Sequence, residues 1–146
     1  LELGLDTRTF YALSRLVRER AGHTIPSNRA AVGERLFEVE SGIIAGWYQQ
    51  CVDEFPTELF PYHWNEVGQP PARIVYGKGS GLPSVMVALE ALGIEADEEG
   101  MRELVAAIKQ RALQTKALLP LEEVAELAAE VLGRSPSVKR SPVAAG

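Results

Sequence analysis

The chain has 146 residues and a mass of 15.9 kDa, is 46% hydrophobic and 24% charged, and carries 15 basic against 20 acidic side chains with a single cysteine. This is the make-up of an ordinary globular domain and excludes a disordered or fibrous chain, while its size lets one globule withdraw roughly 68–70% of its unfolded surface from water without disulfide staples. A net charge of −5 and a pI near 5.1 remove any global electrostatic reason to bind nucleic acid or a membrane. No apolar run approaches the ~20 residues of a bilayer span, and no signal-peptide pattern opens the chain. The lone Cys51 argues for a reducing compartment, so a cytoplasmic location is expected. The chain opens at Leu1 with no Met, as expected of a processed, truncated or partly supplied polypeptide.

In chain order, Asp6 or Thr7 is the expected cap of a first amphipathic helix, with Phe10, Leu13, Leu16 and Val17 at helical spacing and Gly22 as its stop. Residues 23–33 hold Pro26, Ser27, Asn28 and Gly33 and read as an extended loop. A second helix is expected from Ser41 to Asp53; Ile43, Ile44, Trp47, Tyr48 and Cys51 make it apolar around much of its circumference. An irregular, aromatic-rich piece follows from Phe55 to Pro71, and Arg73-Ile74-Val75-Tyr76 is the one convincing strand-like run. After Gly77-Lys78-Gly79-Ser80-Gly81 come three helices. The first runs from about Pro83 to Leu92, the second is capped by Asp97 and buries Met101, Leu104, Val105, Ile108 and Ala112, and the third runs from Pro120 to Gly133.

The resulting fold class is mainly α: a loop-rich helical linker and dimerisation region (1–68), a small three-helix subdomain (69–133) and a disordered tail (134–146). The front part holds more apolar and aromatic surface than it can enclose, among it Ile43, Ile44, Trp47, Tyr48, Phe55, Phe60, Tyr62 and Trp64, so an obligate hydrophobic interface is expected.

Few residues suggest chemistry. His23 and His63 are far apart, and no His-x-His, Cys-x-x-Cys or His-Glu-x-x-His spacing is present, so no metal site is expected within this chain. Cys51 reads as an inert buried thiol on an apolar face. The Gly77-Lys78-Gly79-Ser80-Gly81 loop lacks P-loop spacing and reads as a tight strand-to-helix connection in preference to a phosphate cradle. Glu40 is either a base or the cap of the helix it precedes. Tyr62 and His63 are either acid/base groups or polar-tipped aromatics at a subunit contact.

The order of the motifs says more than any one of them. Ala12-Leu13-Ser14-Arg15-Leu16-Val17, Ile25 to Phe37, Glu40-Ser41-Gly42-Ile43, Glu66-Val67-Gly68 and Gly77-Lys78-Gly79-Ser80-Gly81 follow one another as in the C-terminal part of the homocitrate synthase and isopropylmalate synthase group. From Phe10 to Leu132 the chain resembles that group of DRE-TIM metallolyases.

The resemblance implies a segment of a larger (β/α)₈-barrel enzyme that makes or breaks a C–C bond beside a carbonyl, using an acyl-CoA and a 2-oxo acid. The barrel, fused upstream or on a separate chain, would carry the divalent metal. This segment would bind no cofactor, would intertwine with a second subunit in a homo- or hetero-oligomer, and would reach over its partner's active site. Alone it should not catalyse. The family's His-Glu-Ser-Gly-Ile-His is here Val39-Glu40-Ser41-Gly42-Ile43-Ile44, so the histidine that reaches the neighbouring site is Ile44, which moves no proton. The family's partner tyrosine falls near Leu59 to Tyr62. On this basis the candidate site residues are Glu40 and Tyr62, with His63 behind them, and the alternative function is a non-catalytic interaction module derived from the same family.

Overall fold

The computed structural model describes residues 4–133; the expected tail from Arg134 lies outside them. The protein is mainly helical, with five α-helices, three short 3₁₀ turns and two two-residue strands among the described residues. It divides into two compact units. One holds the chain up to Val39 together with Tyr48–Arg73, the other Glu40–Trp47 together with the chain from Ile74 onward.

In the first unit, Asp6 accepts from the Arg8 backbone N–H and starts a 3₁₀ turn, Thr7–Thr9, which runs into α1 (Phe10–Ala21). Gly22 ends α1 in the left-handed conformation, as its spacing predicts. The apolar stripe of α1 is present but uncovered: Leu13, Leu16 and Val17 are 55%, 49% and 46% exposed, and the helix has no buried residue. The loop that follows folds into successive turns up to β1 (Glu38–Val39), whose partner strand is β2 (Arg73–Ile74). Within the unit this pairing includes the Arg73 N–H donating to the Phe37 carbonyl at 2.9 Å and an ion pair from Arg73 to Glu38 at 2.7 Å. The strand-like run at residues 73–76 is thus shorter than its sequence suggests, because only its first two residues find a strand partner; Tyr76 instead makes an isolated antiparallel bridge to Leu119.

Phe37, Phe60 and Trp64 pack edge-to-face with ring centroids 5.4–6.3 Å apart and are each buried. Such pairs add about 0.5–1.5 kcal/mol each beyond the area they bury. The front part therefore encloses more of its aromatic surface than composition suggests, Phe60 and Trp64 included, whereas Phe55 stays 59% exposed. Gly68 closes the 3₁₀ turn Trp64–Val67 at φ 71°, and a Cβ there would stand 1.9 Å from the Arg8 carbonyl oxygen. That position tolerates only glycine, because the turn needs a positive φ and the backbone passes too close for a side chain.

The second unit has one continuous core. α2 (Gly42–Cys51) begins in this unit and ends in the first. It is less buried than its apolar sequence suggests: Gly42 and Ala45 are buried, but Ile43 and Trp47 are 70% and 56% exposed. Cys51 is half-buried, not enclosed in a core as expected. The remaining helices are α3 (Leu82–Leu92), α4 (Glu98–Thr115) and α5 (Leu121–Leu132); α3 and α5 match their predicted bounds within a residue or two, and α4 starts directly after its predicted cap. Asp97 caps α4 by accepting from the Gly100 N–H at 2.9 Å. Val85, Leu104, Ile108 and Val124 are completely buried, with Leu89 and Leu127 almost so; Leu92 and Leu121 are half-buried and pack at the margin. Met101 and Val105 likewise flank the buried stripe of α4, which runs through Gly100, Leu104, Ile108 and Ala112. A period of 3.6 residues narrows the fully buried stripe to one residue per turn and leaves its neighbours half-covered.

Candidate functional site

The predicted site residues fall in different units. Glu40 belongs to the second unit, at the start of α2, and its carboxylate turns to the glycine loop between β2 and α3. Its Oε1 accepts from the Gly79 N–H at 2.8 Å. A Cβ at Gly77 would lie 2.5 Å from that same oxygen and 2.8 Å from Leu118 Cδ2. A side chain at position 77 would therefore require the ends of the Glu40 and Leu118 side chains to move.

The loop is closed by its own atoms as well. The Gly77 N–H donates to the buried Ser80 Oγ at 2.9 Å, and the Ser80 N–H donates to the Gly77 carbonyl at 3.1 Å. At the next step the Gly81 N–H reaches Ser84 Oγ at 3.5 Å at the start of α3. Gly42 backs this arrangement, since a Cβ there would come within 2.9 Å of the Gly81 backbone. Backbone N–H groups that would otherwise converge on an anion are committed to internal oxygens, which agrees with the reading of the loop as a strand-to-helix connection. Lys78 is exposed and makes no ion pair among the described residues.

Tyr62 and His63 belong to the first unit. The Tyr62 hydroxyl accepts from the Ala31 N–H at 2.8 Å, and Ala31 sits at φ 63°, an unusual conformation for a side-chain-bearing residue. A phenolic oxygen that accepts one bond still has its own proton to donate. The Tyr62 ring packs edge-on to Phe37, with centroids 5.9 Å apart. His63 Nδ1 accepts from the Asn65 N–H at 3.1 Å and so caps the 3₁₀ turn Trp64–Val67, while its ring lies 4.1 Å from that of Trp64. Since Nδ1 is the acceptor, neutral His63 carries its proton on Nε2.

Gln69 is a residue that sequence reasoning passed over. It is 5% exposed and its Nε2 donates to the carbonyls of Gly33 at 2.8 Å and Ala31 at 3.2 Å, so that Gln69 and Tyr62 together fix residues 31–33. Glutamine carries no local signal for such a role; only the distance it spans along the chain reveals it. Gly33 is held tightly in the same turn, where a Cβ would meet the Ser27 carbonyl oxygen at 2.4 Å.

Among the described residues no cluster of three or more His, Cys, Asp or Glu side chains is placed to hold a metal ion. Among them, too, no helix is long and apolar enough to cross a membrane.

A helical segment with an ordered glycine loop and the motif series above defines a class, and comparison with known proteins gives it a name: the chain belongs to the DRE-TIM group of homocitrate and isopropylmalate synthases. It is 38% identical over 109 residues to the homocitrate synthase AksA of Methanopyrus kandleri, a match covering 75% of this chain and 26% of that protein. With homocitrate synthase 1 of Nostoc it shares 35% identity over 130 residues, or 89% of this chain and 33% of the relative. With the 2-isopropylmalate synthase of Thermus thermophilus it shares 36% over 124 residues, or 84% and 36%. The chain thus spans about a quarter to a third of the length of these relatives. No family model matches it.

Proposed function

We propose that this chain is the helical segment that completes a metal-dependent barrel enzyme of the acyl-CoA/2-oxo acid condensing or lyase type, making subunit contacts and covering a neighbouring active site. The similarity to homocitrate and isopropylmalate synthases over three quarters or more of the chain carries this reading. The uncovered Leu13, Leu16 and Val17 face of α1 supports the contact role, because apolar surface of that kind is normally hidden against a partner. The divalent metal belongs to the barrel, fused or separate, and the assembled enzyme works in the cytoplasm. Glu40, Tyr62 and His63 are the side chains of this segment that serve the site.

The test is the enzyme assembled from this chain and its barrel, assayed for CoA release from an acyl-CoA with a panel of 2-oxo acids, and for the reverse cleavage. Turnover that needs both parts supports the proposal; a barrel equally active without this segment overturns it. Val39, 5% exposed, and the half-buried Ile44 favour one second reading. Both put apolar packing where the family carries histidine, as a purely structural oligomerisation module would. Stable assembly with the barrel but no turnover in either direction would select that reading.

A further inference from the structure

The glycine loop connects β2 to α3 and is also held from outside its own turn, by the Glu40 carboxylate. Its Gly79 N–H is held by Glu40 and its Gly77 N–H by Ser80 Oγ, at 2.8 and 2.9 Å, and a carboxylate oxygen presses where a Gly77 side chain would start. What these braces leave outward is Lys78, exposed at the apex between two fixed glycines and without an ion pair among the described residues. We propose that Lys78 is a substrate-binding residue that contacts an anionic group, a carboxylate or a phosphate, and that Glu40 is the positioning residue that holds the loop so as to present it. This rests on the proposed condensing or lyase function, both of whose substrates are anions.

The physical reasoning is one of pre-organisation. A lysine ammonium is a point charge on a flexible stem, so its contribution to binding depends on how little freedom its base retains. Three glycines in five residues would give that base wide freedom. The internal acceptors restrict it and occupy the Gly77 and Gly79 amides, so the side-chain charge is the contact on offer. Glu40 then needs no proton transfer of its own; it needs an oxygen acceptor at the right place, which an amide side chain also supplies.

The experiment is steady-state kinetics of the enzyme assembled from this chain and its barrel, with acyl-CoA and 2-oxo acid varied separately. Lys78→Ala is expected to raise KM about tenfold or more, well beyond any fall in kcat. A rise confined to the 2-oxo acid assigns the contact to its carboxylate, and one confined to the acyl-CoA assigns it to a phosphate. Glu40→Ala should raise the same KM, and the double variant should be little worse than either single one, because both act through one contact. Glu40→Gln, which keeps an oxygen acceptor for the Gly79 N–H, should raise that KM far less than Glu40→Ala does. If Lys78→Ala leaves both KM values unmoved, or if Glu40→Gln collapses kcat as loss of a proton-transfer group would, the inference is overturned while the proposed function stands. Wild-type enzyme without turnover would instead overturn that function and this inference with it.

Discussion

Tyr62 holds together two demands that can be measured apart. Its hydroxyl braces Ala31 in a left-handed conformation that costs a side-chain-bearing residue roughly 1–2 kcal/mol. Tyr62→Phe removes that bond and is expected to lower stability by about 1 kcal/mol in thermal or denaturant unfolding. With the hydroxyl proton also serving a substrate oxygen as proposed, turnover of the assembled enzyme should fall about 10²-fold. Unchanged turnover beside the small stability loss would leave Tyr62 as the brace alone. Tyr76 offers a second residue-scale measurement, since burial pushes its phenol from 10.0 up to about 12. The folded protein then holds this proton more tightly than the unfolded chain. Its contribution to stability is complete below pH 10 and is lost as pH rises from about 10 to 12, for a total of up to about 3 kcal/mol. Unfolding free energies across that interval should flatten in Tyr76→Phe, and the phenolate absorbance of Tyr76 should be late to appear.

At the scale of elements, the second unit depends on helix packing far more than on its charges. Leu127 on α5 is 4% exposed within a core of Val85, Leu104, Ile108 and Val124. Leu127→Ala should cost about 2–5 kcal/mol in chemical denaturation. The ion pair between Arg111 on α4 and Glu123 on α5, at 3.0 Å, is about one third exposed on the arginine side. Its removal by Arg111→Met should cost no more than about 1 kcal/mol. A reversal of that ranking would mean that α5 is held mainly by polar contacts. The phase of α5 was legible in the sequence because Val124, Leu127 and Ala128 repeat at helical spacing behind Pro120 and ahead of Gly133. The strand pairing was not, since two-residue strands carry no periodicity and their partners are more than thirty residues apart.

For the whole molecule, the deciding feature is apolar surface that this chain leaves in water. If the α1 face joins copies or closes on a barrel as proposed, replacing Leu13 and Leu16 with Glu should shift assembled enzyme towards smaller species in sedimentation at micromolar concentration. Because both residues are about half exposed, the unfolding free energy of the isolated chain should move by less than about 0.5 kcal/mol. An unaltered sedimentation profile would show that α1 is not at an interface.

The sequence by itself determined the helices of the second unit, their caps, most of their buried stripe and the family. These depend on spacing, on turn-forming residues and on motif order, all of which are local or linear properties. It also singled out Glu40 and Tyr62, though it offered for Glu40 only the roles of base or helix cap. Only the tertiary structure decided that the Glu40 carboxylate holds the Gly79 amide and that Gln69 and Tyr62 clasp residues 31–33. It also decided which aromatic rings are enclosed and which remain outside. Each of those outcomes joins groups distant along the chain, and a hydrogen bond or a packed ring depends on a separation in space that no pattern of neighbours in sequence encodes.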